Sequence, residues 1–144
     1  MYLIIILPLV AAALAEVLKF LIPQNKRSFS LKNLFSYSGM PSGHAAIVSS
    51  LMTIVGLREG IDSTFFGLSF VFAVIVLRDA IGLRKYLGMH GKVLNILVKD
   101  LKEDDVLTEH YPRLLENIGH TNLQVFAGLF VGILTSIVGY IIFK

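Results

Sequence analysis

The sequence has no cysteine and little charge. Because none of its 144 residues carries a thiol, disulfides, thiolate metal sites and cysteine nucleophiles are excluded. Charged residues make up 16% of the chain, against roughly a quarter in soluble domains. This shortage, together with a net charge of only +3, excludes a disordered chain, a coiled coil and a nucleic-acid-binding tail.

Apolar residues take the place of charge. The chain is 55% hydrophobic and has a mean hydropathy of +0.74. A helix of roughly 17–25 apolar residues crosses a bilayer core. Gly128, Gly132 and Ser136 recur every four residues in the last apolar run, a spacing that lets another helix approach closely. The sequence predicts transmembrane helices over residues 1–22, 42–57, about 63–83 and 121–143.

The region between the last two predicted spans has a different pattern. Apolar residues recur there at helical spacing among polar ones, which predicts an amphipathic interfacial helix over about 89–102. A short helix around 112–117 is expected to stop at Gly119. We therefore expect an all-α integral membrane protein, with about four transmembrane helices plus an amphipathic interfacial helix, forming a single membrane-embedded domain over 1–144.

The polar groups of chemical interest are predicted to collect on one membrane face. Successive spans run in opposite directions, so the ends of spans one and three meet the starts of spans two and four. His44 and His120 both lie at predicted helix starts, with basic residues opposite. Free N–H groups and the helix dipole make such starts attractive to anions. The implied ligand is a phosphate at the membrane surface.

Several motifs resemble a known superfamily. Residues 40–44, Met-Pro-Ser-Gly-His, resemble the Pro-Ser-Gly-His signature of the type 2 phosphatidic acid phosphatase superfamily, which includes vanadium haloperoxidases. Residues 120–132 resemble its last motif, with Gln124 where the superfamily has aspartate. Lys19, followed by Lys26 and Arg27, resembles its first motif without the proline.

The whole chain is similar to the small divergent branch of acid phosphatase/vanadium haloperoxidase-related membrane proteins. That branch carries a Gly-Met-Pro-Ser-[Ser/Gly]-His stretch, an Asp-Ala-x-Gly-[Val/Leu]-Arg stretch and a Gly-His-Thr stretch. All three are present here in that order, at residues 39–44, 79–84 and 119–121.

The resemblance implies roles for four catalytic residues. His120 would be the nucleophile that forms a phosphohistidine, and His44 would protonate the leaving alkoxide. Gln124 would orient the ring of His120, although an amide cannot stabilise a developing imidazolium as a carboxylate does. Asp79 could supply the missing carboxylate; its structural alternative is an ion pair with Arg78 or Arg84. His90, which is separated from Arg84 by five residues, is the second choice for the nucleophile.

Phosphate binding needs cations and N–H donors around the phosphoryl oxygens. Arg84 is the best candidate because a guanidinium binds oxyanions bidentately. Lys19 carries a costly charge within a span, which favours a functional role, although Glu16 one turn earlier could simply neutralise it. Arg113 is a weaker candidate. The set predicted to bind phosphate is Lys19, Lys26, Arg27, Ser42, Gly43 and Arg84; capping by Ser42 and lipid contact by the loop bases are the alternatives.

The predicted function is that of a metal-independent phosphatase. Its substrate would be a phospholipid or polyprenyl phosphate or diphosphate, and it would need no metal and no cofactor. The alternative is a non-enzymatic membrane protein that binds anionic lipid headgroups with a degenerate site; a haloperoxidase would need a soluble bundle and a larger chain. We expect membrane lipids and no nucleic acid as partners, and Gly128 and Gly132 also permit a homo-oligomer.

The basic residues also predict an orientation. Lys and Arg near span ends are enriched on the cytoplasmic side of membranes. The loop around 26–32 and the segment 84–102 are the basic flanks here. We expect an inner-membrane protein with the site on the cytoplasmic face and both termini outside.

Overall fold

The computed structural model describes residues 2–22, 39–100, 114–116 and 118–143. Within these ranges the chain forms helices and no strands. They are α1 (Tyr2–Leu21), α2 (Gly43–Glu59), α3 (Thr64–Arg78), a π-helical turn (Asp79–Leu83), α4 (Arg84–Asp100) and α5 (Asn122–Phe143). The expectation of an all-α membrane protein is confirmed.

Three of the described helices are long and apolar enough to cross a membrane: Tyr2–Leu21, Thr64–Lys99 and Asn122–Phe143. The predicted span over 42–57 is indeed helical, but α2 has only 17 residues, about 26 Å at 1.5 Å per residue. By length and composition, three of the described helices, and not about four, could cross a membrane. Instead, α2 packs among α1, α3 and α5 as the central helix of the bundle.

The predicted break between the third span and the interfacial helix is wrong. The helix continues from Thr64 to Asp100, because the π-helical turn joins α3 to α4 through a hydrogen bond from the Arg84 backbone N–H to the Asp79 carbonyl. No proline or turn sequence interrupts residues 78–84. The amphipathic segment thus begins at Arg84, as a direct extension of a span.

The short helix predicted around 112–117 is also not formed where the structure describes it. Residues 114–116 are non-helical. Their backbone is bound instead by the side chain of Asn95 on α4, which donates to the Leu114 carbonyl at 2.9 Å and accepts from the Leu114 N–H at 3.0 Å. A partner in another element has overridden the local helical preference.

Small residues hold α1, α2 and α5 together. Ala11 and Ala15 of α1 and Ala46 of α2 are fully buried against one another. The Ser50 and Ser136 hydroxyls are 2.7 Å apart, and Ser136 also donates to the Ser50 carbonyl at 2.8 Å. The helix that approaches the small-residue face of α5 is therefore α2 of the same chain.

Candidate functional site

The start of α2 is tied to the start of α5. The Ser42 backbone N–H donates to the Gln124 carbonyl at 2.9 Å. Ser42 is fully buried and caps α2 by accepting from the Ala45 N–H at 3.4 Å. One helical turn after Gln124, a Cβ added at Gly128 would lie 2.9 Å from the Cβ atom of Ala45. The glycine therefore lets the two helix starts, and the histidines beside them, lie side by side.

His44 and His120 form a pair between these helix starts. Their ring centroids are 6.2 Å apart and their planes are inclined by 70°. His120 is buried, with 4% of its surface exposed, whereas His44, the second residue of α2, is half-buried. Because a reacting nitrogen sits about 3–3.5 Å from phosphorus, the pair has the spacing to flank one phosphoryl group.

The backbone at His120 is fixed by the π-helical turn. The His120 N–H donates to the Ala80 carbonyl at 3.1 Å. Gly119, with φ of +101°, lies so close to α4 that an added Cβ would be 2.8 Å from the Lys85 nitrogen. Glycine alone adopts that conformation at no steric penalty. π-helical turns recur at functional sites. This one fixes the position of His120 along the bundle through the hydrogen bond to Ala80.

A strap of chain leading to His120 lies along α4. We call residues 114–116 and 118–119 the strap. Besides binding Leu114, the Asn95 amide donates to the Glu116 carboxylate at 2.9 Å. An added Cβ at Gly88 would lie 2.5 Å from the Glu116 carbonyl oxygen, and one at Gly91 2.8 Å from the Leu115 carbonyl oxygen. The glycine face of α4 thus admits the strap at backbone contact distance.

Two ion pairs border the histidine pair. On α1 the buried Lys19 ammonium lies 2.5 Å from Glu16 Oε1. Across the site Arg84 Nε lies 2.7 Å from Asp79 Oδ2. All four charged groups act electrostatically on the His44 imidazole: Arg84 and Lys19 as positive neighbours, Asp79 and Glu16 as negative ones. Within the described ranges, no three His, Asp or Glu side chains are grouped so as to hold a metal ion.

The side chain of Gln124 has a different partner from the one proposed for it. Gln124 Oε1 accepts from the Thr121 N–H at 2.9 Å, and the Gln124 N–H donates to Thr121 Oγ1 at 3.3 Å. This reciprocal pair is a capping box, with Thr121 as the N-cap of α5 and Gln124 three residues on. The spacing Thr-x-x-Gln could have identified it. Gln124 thus has a capping role at the start of α5, and its orienting role stays a prediction.

Substituting Gln124 tests the capping interpretation. We expect Gln124→Ala to lower the free energy of unfolding by about 1 kcal/mol, the usual loss for a removed cap, with only a modest change in any hydrolytic rate. Gln124→Glu should keep the stability, because glutamate serves equally in a capping box. Thermal unfolding of the purified variants measures both. A loss of catalysis with unchanged stability would restore the orienting role.

The remaining predicted site residues fall into three groups. Ser42 and Gly43 stand at the start of α2 beside His44, and both are buried. His90, the second choice for the nucleophile, is exposed on α4. Lys26 and Arg27, predicted to bind phosphate, lie outside the described residues, as do Lys32, His110 and Arg113.

Sequence reasoning missed two contributors to the site. The sequence pattern indicates only that Glu16 neutralises Lys19, yet its carboxylate also reaches the start of α2, where a Cβ added at Gly43 would be 2.9 Å from Oε1. The second contributor is Asn95. Its position on the same helical face as Gly88 and Gly91, at spacings of three and four residues, is the signal that predicts a close backbone contact there.

Comparison with known proteins identifies a family and a relative. Residues 2–135 match the family described as "Divergent PAP2 family". The chain is 37% identical over 142 residues to the uncharacterised membrane protein YuiD of Bacillus subtilis (strain 168), with 90% of this chain and 89% of that protein covered. No solved structure matches.

Proposed function

Since the chain belongs to the Divergent PAP2 family, we propose that it is a membrane phosphatase that hydrolyses a lipid phosphate or diphosphate at the membrane interface. The reaction proceeds through a phosphohistidine and needs no metal ion. We place the protein in the inner membrane with its site at the cytoplasmic face. The test is a single cysteine introduced as Ser30→Cys, which is the one thiol of the protein because the sequence has no cysteine. If this thiol reacts only with a reagent added from outside the cell, the cytoplasmic placement is wrong.

The observation that carries this proposal is the histidine pair. His44 and His120 are 76 positions apart in the sequence and each lies beside a helix start, and their ring centroids lie 6.2 Å apart. Both stand beside a helix N-terminus, where the helix dipole favours an anion. A nucleophile and an acid on opposite sides of one phosphoryl group is the arrangement that covalent phosphoryl transfer requires.

The chemistry assigns one step to each histidine. A ring nitrogen of His120 forms a bond to phosphorus while the bond from phosphorus to the leaving oxygen breaks, and the protonated His44 gives its proton to that oxygen. Water then attacks the phosphohistidine, and His44, now neutral, accepts a proton from the water. The nitrogen–phosphorus bond breaks, His120 recovers its electron pair, and phosphate is released.

The charged groups stabilise this reaction from two sides. Arg84 and Lys19 supply donors and positive charge for the phosphoryl oxygens, which gain charge in the transition state. Asp79 lies on the π-helical turn that also holds the His120 backbone. Its carboxylate orients Arg84 at 2.7 Å and adds the negative charge that favours an imidazolium.

We expect Asp79→Asn to reduce the hydrolytic rate by on the order of 10²-fold. The neutral amide loses both the ion pair with Arg84 and the charge that stabilises an imidazolium. Initial rates, together with yield and melting temperature, separate this effect from misfolding. If Asp79→Asn folds normally and keeps the full rate while Gln124→Glu raises it, the charge role belongs to position 124.

The direct experiment is phosphate release from a panel of lipids. The purified protein, reconstituted in detergent or nanodiscs with EDTA, is given phosphatidate, phosphatidylglycerophosphate and a polyprenyl diphosphate. Release from one of them at a rate that EDTA does not change is the expected result. Phosphate release that depends on added divalent metal would overturn the metal-independent mechanism.

The second candidate function is binding of anionic lipid without hydrolysis. The observation in its favour is that Lys19 and Arg84 each already contact a carboxylate, while Gln124 replaces an acidic residue. Retention of anionic lipids through purification, with no phosphate release from any substrate in the panel, would identify this function. Release of phosphate by the wild type excludes it.

A further inference from the structure

Asn95 is a side chain of α4 whose hydrogen bonds, in the part of the chain that the structure describes, all go to the strap. Its amide nitrogen donates to the Leu114 carbonyl and to Glu116 Oε1, both at 2.9 Å, and its amide oxygen accepts from the Leu114 N–H at 3.0 Å. Both donor hydrogens and the acceptor oxygen of the amide are thus in use. Asn95 gives Leu114 the two backbone partners that a helix or a strand would otherwise supply.

The strap is bound to the long helix at both of its ends. Asn95 binds its first residue, Leu114. Immediately after its last residue, Gly119, the His120 N–H donates to the Ala80 carbonyl at 3.1 Å. The chain between these two points is non-helical where the structure describes it, so these hydrogen bonds help to hold it where a regular helix is absent.

The contacts between the two ends follow one order. Leu115 lies against Gly91, Glu116 against Gly88, and Gly119 against the first turn of α4. Each later residue of the strap therefore meets an earlier residue of α4, and the two segments run antiparallel. Because backbone faces backbone at these glycines, no side-chain rotation can absorb a shift of the strap. A displacement at its start is passed on towards its end.

His120 follows the strap directly and is the nucleophile of the proposed reaction. Its ring centroid lies 6.2 Å from that of His44. A displacement of about 1 Å at a reacting group can cost on the order of 10²-fold in rate. The position of the strap therefore bears on the rate, although none of its contacts with α4 involves a reacting atom.

We propose that Asn95 is a positioning residue for the nucleophile: by binding the start of the strap, it fixes the strap on α4 and holds the His120 imidazole opposite that of His44. Asn95 is 15 residues from Ala80 along one helix, about 22 Å at 1.5 Å per residue. Its effect on the rate therefore does not come from contact with the phosphate. This role deepens the proposed function and rests on it.

Asn95→Asp tests these hydrogen bonds without opening a cavity, because the two side chains have the same shape. The carboxylate still accepts from the Leu114 N–H, but it cannot donate to the Leu114 carbonyl or to Glu116. We expect kcat for phosphate release to fall about 10–100-fold. KM should change by less than about threefold, because Arg84 and Lys19 are untouched. Asn95→Ala, which removes all three bonds, should lower kcat at least as far.

Ser63→Ala is the matched control. Ser63 Oγ accepts from the Phe66 N–H at 3.2 Å and donates to the Gly60 carbonyl at 2.7 Å. These bonds lie at the start of α3, at the end of the bundle away from the histidines. Their loss should lower the melting temperature and leave kcat unchanged. An unchanged kcat in both Asn95 variants, a rise in KM alone, or an equal loss of kcat in Ser63→Ala would overturn the proposal.

Hydrogen exchange of the wild-type amides measures the coupling without any variant and without substrate. If the two ends of the strap open together, the Leu114 and His120 N–H groups should exchange at rates that agree within about threefold, once corrected for their intrinsic rates. In Asn95→Asp the His120 N–H should exchange at least about tenfold faster, although its acceptor at Ala80 is unchanged. A His120 N–H that stays protected while that of Leu114 exchanges freely contradicts the coupling.

The positioning role and the phosphatase function fail in different experiments. A wild-type protein that releases no phosphate from any lipid of the panel loses the phosphatase function, whereas coupled exchange keeps the strap as the element that positions His120. A wild type that releases phosphate, with uncoupled exchange and an unchanged kcat in Asn95→Asp, keeps the function and removes the role of Asn95.

Discussion

Replacing His120 with alanine should reduce phosphate release by on the order of 10³-fold or more, with little change in stability. Removing a covalent nucleophile has effects of this size, and what remains comes from binding and electrostatics alone. His120 precedes the N-cap of α5, and its backbone hydrogen bond to Ala80 does not depend on the imidazole. The rate is measured with the lipid panel in EDTA, and rapid quenching should trap no phosphoenzyme.

His90→Ala is the matched control for His120→Ala. His90 is an exposed histidine on α4, so its removal should leave the rate unchanged. If His90→Ala abolishes hydrolysis and His120→Ala does not, the nucleophile is His90. If both variants are as active as the wild type, the chain does not act as a histidine phosphatase.

We expect Gly132→Ala to destabilise the bundle by about 3 kcal/mol or more. A Cβ at this position would overlap Ser49 Oγ and the Ala46 carbonyl oxygen, and would lie 2.9 Å from the Ser50 nitrogen. Two of these atoms belong to the backbone of α2, so a side-chain rotation cannot make room. The helices must separate, and the Ser50–Ser136 hydrogen bond at 2.7 Å is lost with them.

Gly67→Ala is the control for that substitution. Gly67 is an exposed helical glycine on α3, and nothing lies within 4 Å of an added Cβ. Alanine there should leave stability unchanged or raise it by up to about 1 kcal/mol. Thermal unfolding in the same detergent compares the two. Equal melting temperatures for Gly132→Ala and the wild type would show that α2 and α5 do not pack this tightly.

The helices could be predicted because each depends on a local pattern. Long apolar runs locate α1, α3 and α5, and the small residues of α5 predict a close helix partner. The proximity of His44 and His120 follows from two facts: successive helices alternate in direction, and charged groups are costly within a membrane. Neither inference requires knowledge of a specific long-range contact.

The parts that could not be predicted depend on contacts between distant residues. The continuity of α3 with α4 rests on a π-helical turn whose sequence has no pattern specific to a π-helix. The strap avoids helix because Asn95, 19 residues before Leu114, binds its backbone. For Gln124 the spacing supports a capping box as well as an orienting role, and the hydrogen bonds with Thr121 establish the capping box.

The long helix joins the reaction geometry to the thickness of the bilayer. Thr64–Lys99 has 36 residues, about 54 Å at 1.5 Å per residue, whereas a hydrocarbon core is about 30 Å thick. Such a helix changes its tilt when the membrane becomes thinner or thicker. The His120 backbone is hydrogen-bonded to Ala80, near the middle of this long helix, whereas His44 belongs to α2. A change in the tilt of this helix would therefore reach His120 through Ala80, and His44 through the packing of α3 against α2.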